Sequence, residues 1–263
     1  MRSPRHLDRV PTPPLRSPID IPPGAIPAIE TEMFLRDHLP RPASLLEVGA
    51  GEGHLAARLR AAGWNVTAID RSADAVAAAR IEGIDITCAE FLEYSGGPFD
   101  IVLFSRVLHH IQPLERAVEH AESLLVPSGL VVAEEFAWER MDAATAEWHE
   151  QRLIEFRDRG WSSRCPADLG EADPLARWTR HHRDTHNVHG GDDLARALAR
   201  RFDVVHSERA AYLYRYLCAD LLDTEPAVEA ALALVSNEEF SIHIGAIQPM
   251  GFRLIGRMAR TGS

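Results

Sequence analysis

Lysine is missing from this chain of 263 residues, so each of its 28 strongly basic side chains is an arginine. An arginine side chain stays protonated at ordinary pH, and it therefore cannot act as a proton acceptor or form a Schiff base. This absence excludes a lysine general base, a P-loop lysine and the Tyr-x-x-x-Lys pair of short-chain dehydrogenases.

Cysteine is almost as rare, and its three copies, Cys88, Cys165 and Cys218, are far apart in the chain. They do not have the paired spacing of a metal finger, so we expect no metal site. An odd number of scattered thiols favours a reducing compartment over a disulfide scaffold, and we expect a cytoplasmic protein.

Long apolar runs are also lacking. No segment approaches the roughly 20 apolar residues that span a bilayer, and the first residues do not resemble a signal peptide. The net charge of -11 disfavours binding to a phosphate backbone. We therefore expect a small-molecule partner, no nucleic acid, no membrane, and a monomer or homodimer.

A regular alternation of short apolar runs and helix-like segments starts at Ser44. Ser44–Val48, Asn65–Ile69 and Phe99–Phe104 have the length and composition of buried strands. His54–Ala62 and Ala73–Ile81 lie between them and are rich in helix-forming alanine. Such alternation predicts an α/β fold in which helices cover both faces of a parallel sheet.

A glycine-rich loop, Glu47-Val-Gly-Ala-Gly-Glu-Gly53, follows the first of these strands. Glycines let the backbone turn tightly and approach a ligand, although a ligand-free turn would have the same composition. Asp70 ends the next strand, where a carboxylate can accept hydrogen bonds from ribose hydroxyls. Glu90 and Phe91 follow the third strand and can bind and cover an adenine ring. Together these positions indicate a nucleoside-containing ligand.

Glu47 distinguishes between two such ligands. A dinucleotide site presents glycines to a pyrophosphate, which an additional carboxylate would repel. A ligand with an ammonium, a sulfonium and no phosphate suits an acidic loop better.

On these residues the sequence resembles class I S-adenosylmethionine-dependent methyltransferases. The resemblance covers about residues 44–136 and is carried by Leu46–Gly53, Ala68–Asp70, Ala89–Phe91, Phe99–Leu103, Val107–Ile111 and Leu124–Gly129. It implies a doubly wound, mostly parallel seven-stranded sheet of the Rossmann-like methyltransferase type with a mainly helical cap. It also implies S-adenosylmethionine as cofactor.

We interpret 1–263 as a single methyltransferase domain. An N-terminal arm and helix (1–40) precede the cofactor-binding half (41–136). Two insertions, 137–190 and 212–248, are expected to form a cap over the substrate. The first insertion holds four of the five tryptophans, which suits a packed cap.

Ten residues are predicted to bind the cofactor: Glu47, Gly49, Ala50, Gly51, Asp70, Arg71, Ala89, Glu90, Phe91 and Ser105. The resemblance implies that Glu47 faces the amino group of the methionine part and that Asp70 holds the ribose. It places Glu90 and Phe91 at the adenine, and the backbone carbonyl of Ser105 at the methionine ammonium.

Three histidines are candidate catalytic residues. His110 belongs to the motif Val107–Ile111, where it contacts substrate or forms part of the cofactor wall. His182 and His186 share one face of a predicted helix with Leu175 and Trp178. Either His182 or His186 acts as a general base beside the substrate, or this helix face packs in the core and its histidines are hydrogen-bonded there. A zinc site at this His-x-x-x-His spacing has no accompanying ligand to support it.

The run Tyr212–Tyr216 places three tyrosines at alternate positions and is predicted to be strand-like. Their shared face either lines the substrate pocket or packs on the cap.

The predicted function is methyl transfer to oxygen or nitrogen of a small molecule, with specialised metabolism as the expected setting. The Asn/Asp-Pro-Pro-Tyr/Phe motif of nucleic-acid amino-methyltransferases is replaced here by Phe104-Ser-Arg-Val107. One alternative is that the protein uses the same cofactor for chemistry other than methyl transfer. Another is that it is a nicotinamide-dependent oxidoreductase. A non-catalytic subunit with this fold is a further one, which the intact Glu47, Asp70 and Glu90 disfavour.

Overall fold

The computed structural model describes residues 21–40, 43–162, 169, 173–185 and 188–258. Seven strands form a single sheet in the order β3-β2-β1-β4-β5-β7-β6. They are β1 (Ser44–Val48), β2 (Asn65–Asp70), β3 (Thr87–Cys88), β4 (Phe99–Ser105), β5 (Leu125–Phe136), β6 (Phe202–Ala210) and β7 (Gly251–Met258). β1 to β5 are parallel, and β7 runs antiparallel to both β5 and β6. The predicted doubly wound, mostly parallel sheet is confirmed.

Helices connect and cover the strands. Those within the described residues are α1 (Ile26–His38), α2 (His54–Ala61), α3 (Ala73–Ile81), α4 (Leu114–Ser123), α5 (Ala143–Asp158), α6 (Pro174–Thr179), α7 (Gly191–Ala199), α8 (Leu213–Ala219) and α9 (Glu225–His243).

The sheet has an apolar core on each face, because alternate residues of a strand point in opposite directions. Leu46 and Val48 pack in one core with α4 and α7, and Leu45 packs in the other with α1, α2 and α3. Burial on both faces explains why the parallel strands read as continuous apolar runs. Because β1 to β5 are parallel, their carboxyl ends all lie at one edge of the sheet.

The cap consists of α5, α6, α8 and α9. Trp178 of α6, Leu213 of α8 and Phe136 at the end of β5 belong to one buried cluster, and α5, α8 and α9 share another. These apolar contacts attach the cap to the carboxyl end of β5.

A buried ion network also ties the cap to the sheet. Glu134 of β5 lies 2.6 Å from the guanidinium of Arg215 in α8 and accepts a hydrogen bond from Arg253 of β7 at 2.9 Å. It also accepts one from the hydroxyl of Thr31 in α1. Burial alone would raise the pKa of Glu134, but the two arginines hold it below its ordinary value. Glu134 is therefore an ionised anchor for three elements.

The prediction that Tyr212–Tyr216 is strand-like is wrong. Tyr212 precedes the first turn of α8, and Tyr214 and Tyr216 lie within that helix. The reason is a distant carboxylate: Glu238 of α9 accepts hydrogen bonds from the backbone N–H groups of Tyr212, Leu213 and Tyr214 at 2.7–2.8 Å. Satisfying these free N–H groups stabilises a helix N-terminus.

The predicted helix after Asp173 is present but irregular. α6 ends at Thr179, and a π-helical turn continues over Arg180–Thr185. The predicted neighbours Trp178 and His182 still meet, with ring centroids 4.0 Å apart. His186 lies outside the described residues.

Two further properties hold for the described ranges. No helix there has the length and apolar character needed to cross a bilayer. No cluster of three or more histidine, cysteine or carboxylate side chains there could hold a metal ion.

Candidate active site

The glycine loop after β1 adopts the conformation for which its glycines are required. Gly49, Gly51 and Gly53 all have positive φ angles, of 69°, 57° and 79°. A Cβ atom on Gly49 would lie 2.4 Å from Val107, and one on Gly53 would lie 2.5 Å from Ile86. The loop therefore needs glycine both for its dihedral angles and for its close packing.

A cavity of about 740 Å³ opens at the carboxyl ends of β1, β2, β3 and β4. This volume lies within the range of small-molecule and cofactor sites, roughly 300–1,000 Å³. Seven of the predicted site residues line it: Gly49, Asp70, Arg71, Ala89, Glu90, Phe91 and His110. The structure thus brings together residues that are up to 61 positions apart in the sequence.

Asp70 is held in place by the loop that it faces. Its Oδ2 accepts a hydrogen bond from the backbone N–H of Gly51 at 2.7 Å, and its Oδ1 accepts one from Ser72 at 2.8 Å. Each carboxylate oxygen can accept two hydrogen bonds. Asp70 can therefore support the loop and still accept two ribose hydroxyls.

Glu47 lies beneath the loop and not in the cavity wall. It is only 3% exposed, and its Oε2 has no hydrogen-bond partner among the residues described. Burial raises its pKa to about 8, against the opposing effect of Arg60 and Arg106. A buried carboxyl oxygen without a partner is costly, which suits a site completed by a bound cation.

Three other predicted cofactor residues also lie beside the cavity and not in its wall. Ala50 and Gly51 continue the loop, and Ser105 ends β4. The Ser105 hydroxyl donates to Glu134 at 3.4 Å, so this side chain faces the ion network and not the cavity. Phe91 lines the cavity but is largely committed to the core, edge-on to Phe104.

Arg106 is a cavity residue that sequence reasoning missed. It is exposed and lines the cavity, and its φ of 60° is unusual for a residue other than glycine. Such backbone strain persists only when the surroundings enforce it, and it is concentrated at functional sites. Gln112 and Arg116 also line the cavity and were missed.

Glu135 enforces the turn after Arg106. Its Oε1 accepts hydrogen bonds from the N–H groups of Val107 and Leu108 at 2.8 and 2.6 Å, and its Oε2 lies 2.6 Å from Nδ1 of His109. His109 is thereby buried, whereas His110 is exposed at the cavity. In the sequence, the only sign of this arrangement is that two adjacent glutamates, Glu134 and Glu135, interrupt an apolar strand.

A second cavity, of about 490 Å³, lies within the cap. Trp178, His182 and Tyr216 are among its lining residues. His182 is therefore not in the cofactor cavity, and the structure does not bring it together with His110. The rings of His109 and Phe136 lie between the two cavities, with centroids 4.8 Å apart.

The first cavity has the hydrogen-bonding and charged groups that S-adenosylmethionine requires. Asp70 and Glu90 provide acceptors for ribose hydroxyls and for the adenine amine. Glu47, beneath the loop, adds a buried carboxyl group that a bound ammonium would favour in its ionised form, and the Arg106 guanidinium can pair with the carboxylate of the methionine part. The residues present therefore fit this cofactor.

The comparisons with known proteins agree with this geometry. Residues 28–206 match the family described as "Methyltransferase domain". The match covers more than half of the chain, and the chain belongs to this family and to the class I S-adenosylmethionine-dependent methyltransferases. The predicted family, enzyme class and cofactor agree with this assignment.

A curated relative is a ubiquinone biosynthesis O-methyltransferase from Caulobacter sp. (strain K31), 31% identical over 97 residues. The aligned segment covers 34% of this chain and 38% of that protein, so the chain spans little more than a third of the relative's length.

Two solved structures share the fold. An S-adenosylmethionine-dependent methyltransferase from Mesorhizobium loti has a TM-score of 0.54 at 19% identity, with 86% of this chain and 96% of that chain covered. Geranyl diphosphate C-methyltransferase from Streptomyces coelicolor A3(2) has a TM-score of 0.55 at 13% identity, with 88% and 80% covered. At these identities the similarity establishes the fold alone.

Proposed function

We propose that this protein transfers the methyl group of S-adenosylmethionine to an oxygen or nitrogen atom of a small molecule. The single observation that carries the proposal is the cavity at the carboxyl ends of β1 to β4, with Oε2 of Glu47 buried beneath its glycine loop and without a partner among the described residues. A pyrophosphate would be repelled by this carboxyl once ionised, whereas an ammonium would be attracted.

Each part of the cofactor has a proposed partner in this arrangement. Asp70 binds the ribose, Glu90 and Phe91 hold the adenine, and the Ser105 carbonyl and Glu47 face the ammonium. When bound, the cofactor supplies a sulfonium-activated methyl group. The protein then has to align the acceptor with that group, exclude water and accept a proton from the acceptor.

The acceptor is proposed to enter from the cap, where the second cavity lies. His110 at the cofactor cavity is proposed to contact it, and His182 in the cap is proposed as the general base. The Caulobacter relative is named as an O-methyltransferase, which supports an oxygen acceptor here.

Methyl-labelled S-adenosylmethionine tests the proposal. The labelled cofactor is incubated with the protein and a panel of small phenols, amines and alcohols. The label should then appear in a small-molecule product, and S-adenosylhomocysteine should form alongside it. Binding of the cofactor with product formation but no label in the product would overturn methyl transfer and favour other chemistry with the same cofactor.

Asp70→Ala tests the cofactor assignment. We expect S-adenosylhomocysteine to bind at least about tenfold more weakly by calorimetry, because charge-assisted hydrogen bonds to the ribose are lost. Asp74→Ala is the matched control, since Asp74 is an exposed aspartate in the first turn of α3 and does not line the cavity. Equal affinities for the two variants would contradict the ribose assignment.

A further inference from the structure

A third cavity, of about 310 Å³, lies between helices α1, α8 and α9 and the two antiparallel strands β6 and β7. Among the described residues, it shares no lining residue with the cofactor cavity or with the second, or cap, cavity. Its volume is at the lower end of the range of small-molecule sites, roughly 300–1,000 Å³. The cavity therefore has room for a small ligand and is separate from the cofactor site.

The third cavity is lined by more carboxylates than guanidinium groups. Its titratable side chains, apart from a tyrosine, are Glu30, Glu208, Glu239, Arg209, Arg253 and His243. Both arginines already have carboxylate partners. Arg253 donates to Glu134 at 2.9 Å and lies 3.3 Å from Glu208, and Arg209 lies 3.3 Å from Asp192. Their positive charges are therefore compensated by other groups of the protein.

Two of the carboxylates lack such compensation. Glu30 is half-buried and Glu239 is exposed, and neither side chain forms an ion pair or a hydrogen bond with any residue that the structure describes. Burial raises the pKa of Glu30 against the opposing charge of Arg253, and the negative charge of Glu239 raises it further. The two carboxylates thus repel each other, and a cation in the cavity would be attracted by both.

Tyr214 provides an independent observation at the same cavity. It lines the cavity and is only 1% exposed, and its hydroxyl has no hydrogen-bond partner in the described part of the chain. Burial raises the pKa of this hydroxyl, and the charges of Glu30 and Arg253, which line the same cavity, also act on it. A buried hydroxyl without a partner is costly, and a bound hydrogen-bond donor would remove that cost.

These groups define the chemical class of the ligand. An ammonium has one positive charge, three N–H donors and no acceptor, which matches two carboxylates and a phenol oxygen. A carboxylate or phosphate would be repelled, and an alcohol would leave both negative charges uncompensated. The described residues form no cluster that could hold a metal ion. The rest of the wall has apolar side chains that suit a short alkyl chain: Ala211, Val235 and Ile242.

We propose that the third cavity binds a small primary alkylamine in its ammonium form, through Glu30, Glu239 and the oxygen of Tyr214. The site is separate from the proposed methyl transfer, and the amine is bound without reacting. Its three partners belong to α1, α9 and α8. A ligand that binds the folded chain and contacts three helices stabilises the folded state by mass action.

The amine site adjoins the buried ion network of Glu134. Arg253 belongs to both, and the residues that follow Glu30 and Tyr214 in the chain, Thr31 and Arg215, also contact Glu134. A bound ammonium would compensate Glu30 without drawing Arg253 away from Glu134. The amine is therefore expected to strengthen the attachment of the cap to the sheet, which a rise in melting temperature would measure.

The binding test titrates the protein with butylammonium chloride, and with sodium butanoate and 1-butanol as ligands of similar size but different charge. Only butylammonium should bind by ligand-observed NMR and raise the melting temperature. Glu239→Gln should weaken its binding about tenfold or more, because a charge-assisted hydrogen bond is lost.

The matched control is Glu229→Gln, since Glu229 is another exposed glutamate of α9 that does not line the cavity. It should bind butylammonium as the wild type does. Equal affinities for the Glu239→Gln and Glu229→Gln proteins would indicate general attraction to an acidic protein and overturn the proposal. Absence of butylammonium binding by the wild type would overturn it as well.

Tyr214→Phe tests the hydroxyl separately from the charges. Without ligand, removal of a hydroxyl that has no partner among the described residues should not lower the urea midpoint of unfolding. Butylammonium should nevertheless bind several-fold more weakly. The affinity for S-adenosylhomocysteine should stay unchanged, because Tyr214 does not line the cofactor cavity. Unchanged butylammonium affinity, or an equal loss of both affinities, would overturn the assignment of the hydroxyl to the amine site.

Discussion

Replacing Glu47 by glutamine should remove a pH dependence from the protein. In the folded chain without ligand, burial raises the pKa of Glu47 from an ordinary 4.5 to about 8. A raised pKa means that the neutral form is favoured on folding. The associated stability is fully present below pH 4.5 and is lost as the pH rises through 8.

The size of this effect follows from the shift. At about 1.4 kcal/mol per pH unit, a shift from 4.5 to 8 corresponds to roughly 5 kcal/mol of unfolding free energy. Glutamine is an uncharged substitute of the same shape. The Glu47→Gln protein should therefore be several kcal/mol more stable than the wild type near pH 9, and the two should be similar near pH 4.5.

Cofactor binding should reverse this preference, because the ligand's ammonium favours the carboxylate. Below pH 8 the binding of S-adenosylhomocysteine then releases a proton, and the wild-type affinity should rise about tenfold per pH unit from pH 6 towards 8. Calorimetry in buffers of different ionisation enthalpy measures the proton. Urea unfolding at several pH values measures the stability.

The control is Glu52→Gln, which changes an exposed glutamate of the same loop. It should preserve the pH dependence of binding that Glu47→Gln abolishes. A wild-type affinity independent of pH, together with unchanged binding by Glu47→Gln, would refute the assignment of Glu47 to the ammonium.

Two further predictions concern the walls of the cofactor cavity. Gly49→Ala should greatly weaken S-adenosylhomocysteine binding by calorimetry, because the new Cβ atom would meet Val107 at 2.4 Å at a φ of 69°; wild-type affinity would show that the loop can shift at no cost. Glu135→Gln should lower the unfolding free energy by about 3 kcal/mol, because the amide oxygen can still accept from the two backbone N–H groups but an NH2 group replaces the buried carboxylate oxygen that pairs with Nδ1 of His109. An unchanged urea midpoint would contradict the role of Glu135.

The features that could be predicted from the sequence are those specified locally. The strands are short apolar runs, and the glycines with positive φ and Asp70 occupy the strand ends where their chemistry requires them. The cofactor cavity is built almost entirely from such strand ends. This is why the positions of Gly49, Asp70 and Glu90 at one cavity could be predicted from their places in the chain.

The features that could not be predicted depend on contacts between distant segments. The alternating tyrosines have a strand pattern, but Glu238, more than 20 residues away, caps them as a helix. The different roles of His109 and His110 depend on Glu135 in another strand. The cap cavity exists only because α5, α6 and α8 pack together, and a pattern within one segment does not contain that information.

Direct calorimetric titration of the wild-type protein with S-adenosylhomocysteine, and in parallel with NADH, tests the central claim. We predict one S-adenosylhomocysteine bound per chain at the cavity between Gly49, Asp70 and Glu90, with no heat of binding from NADH. Binding of NADH without binding of S-adenosylhomocysteine would contradict the assignment of this cavity to the methyl donor.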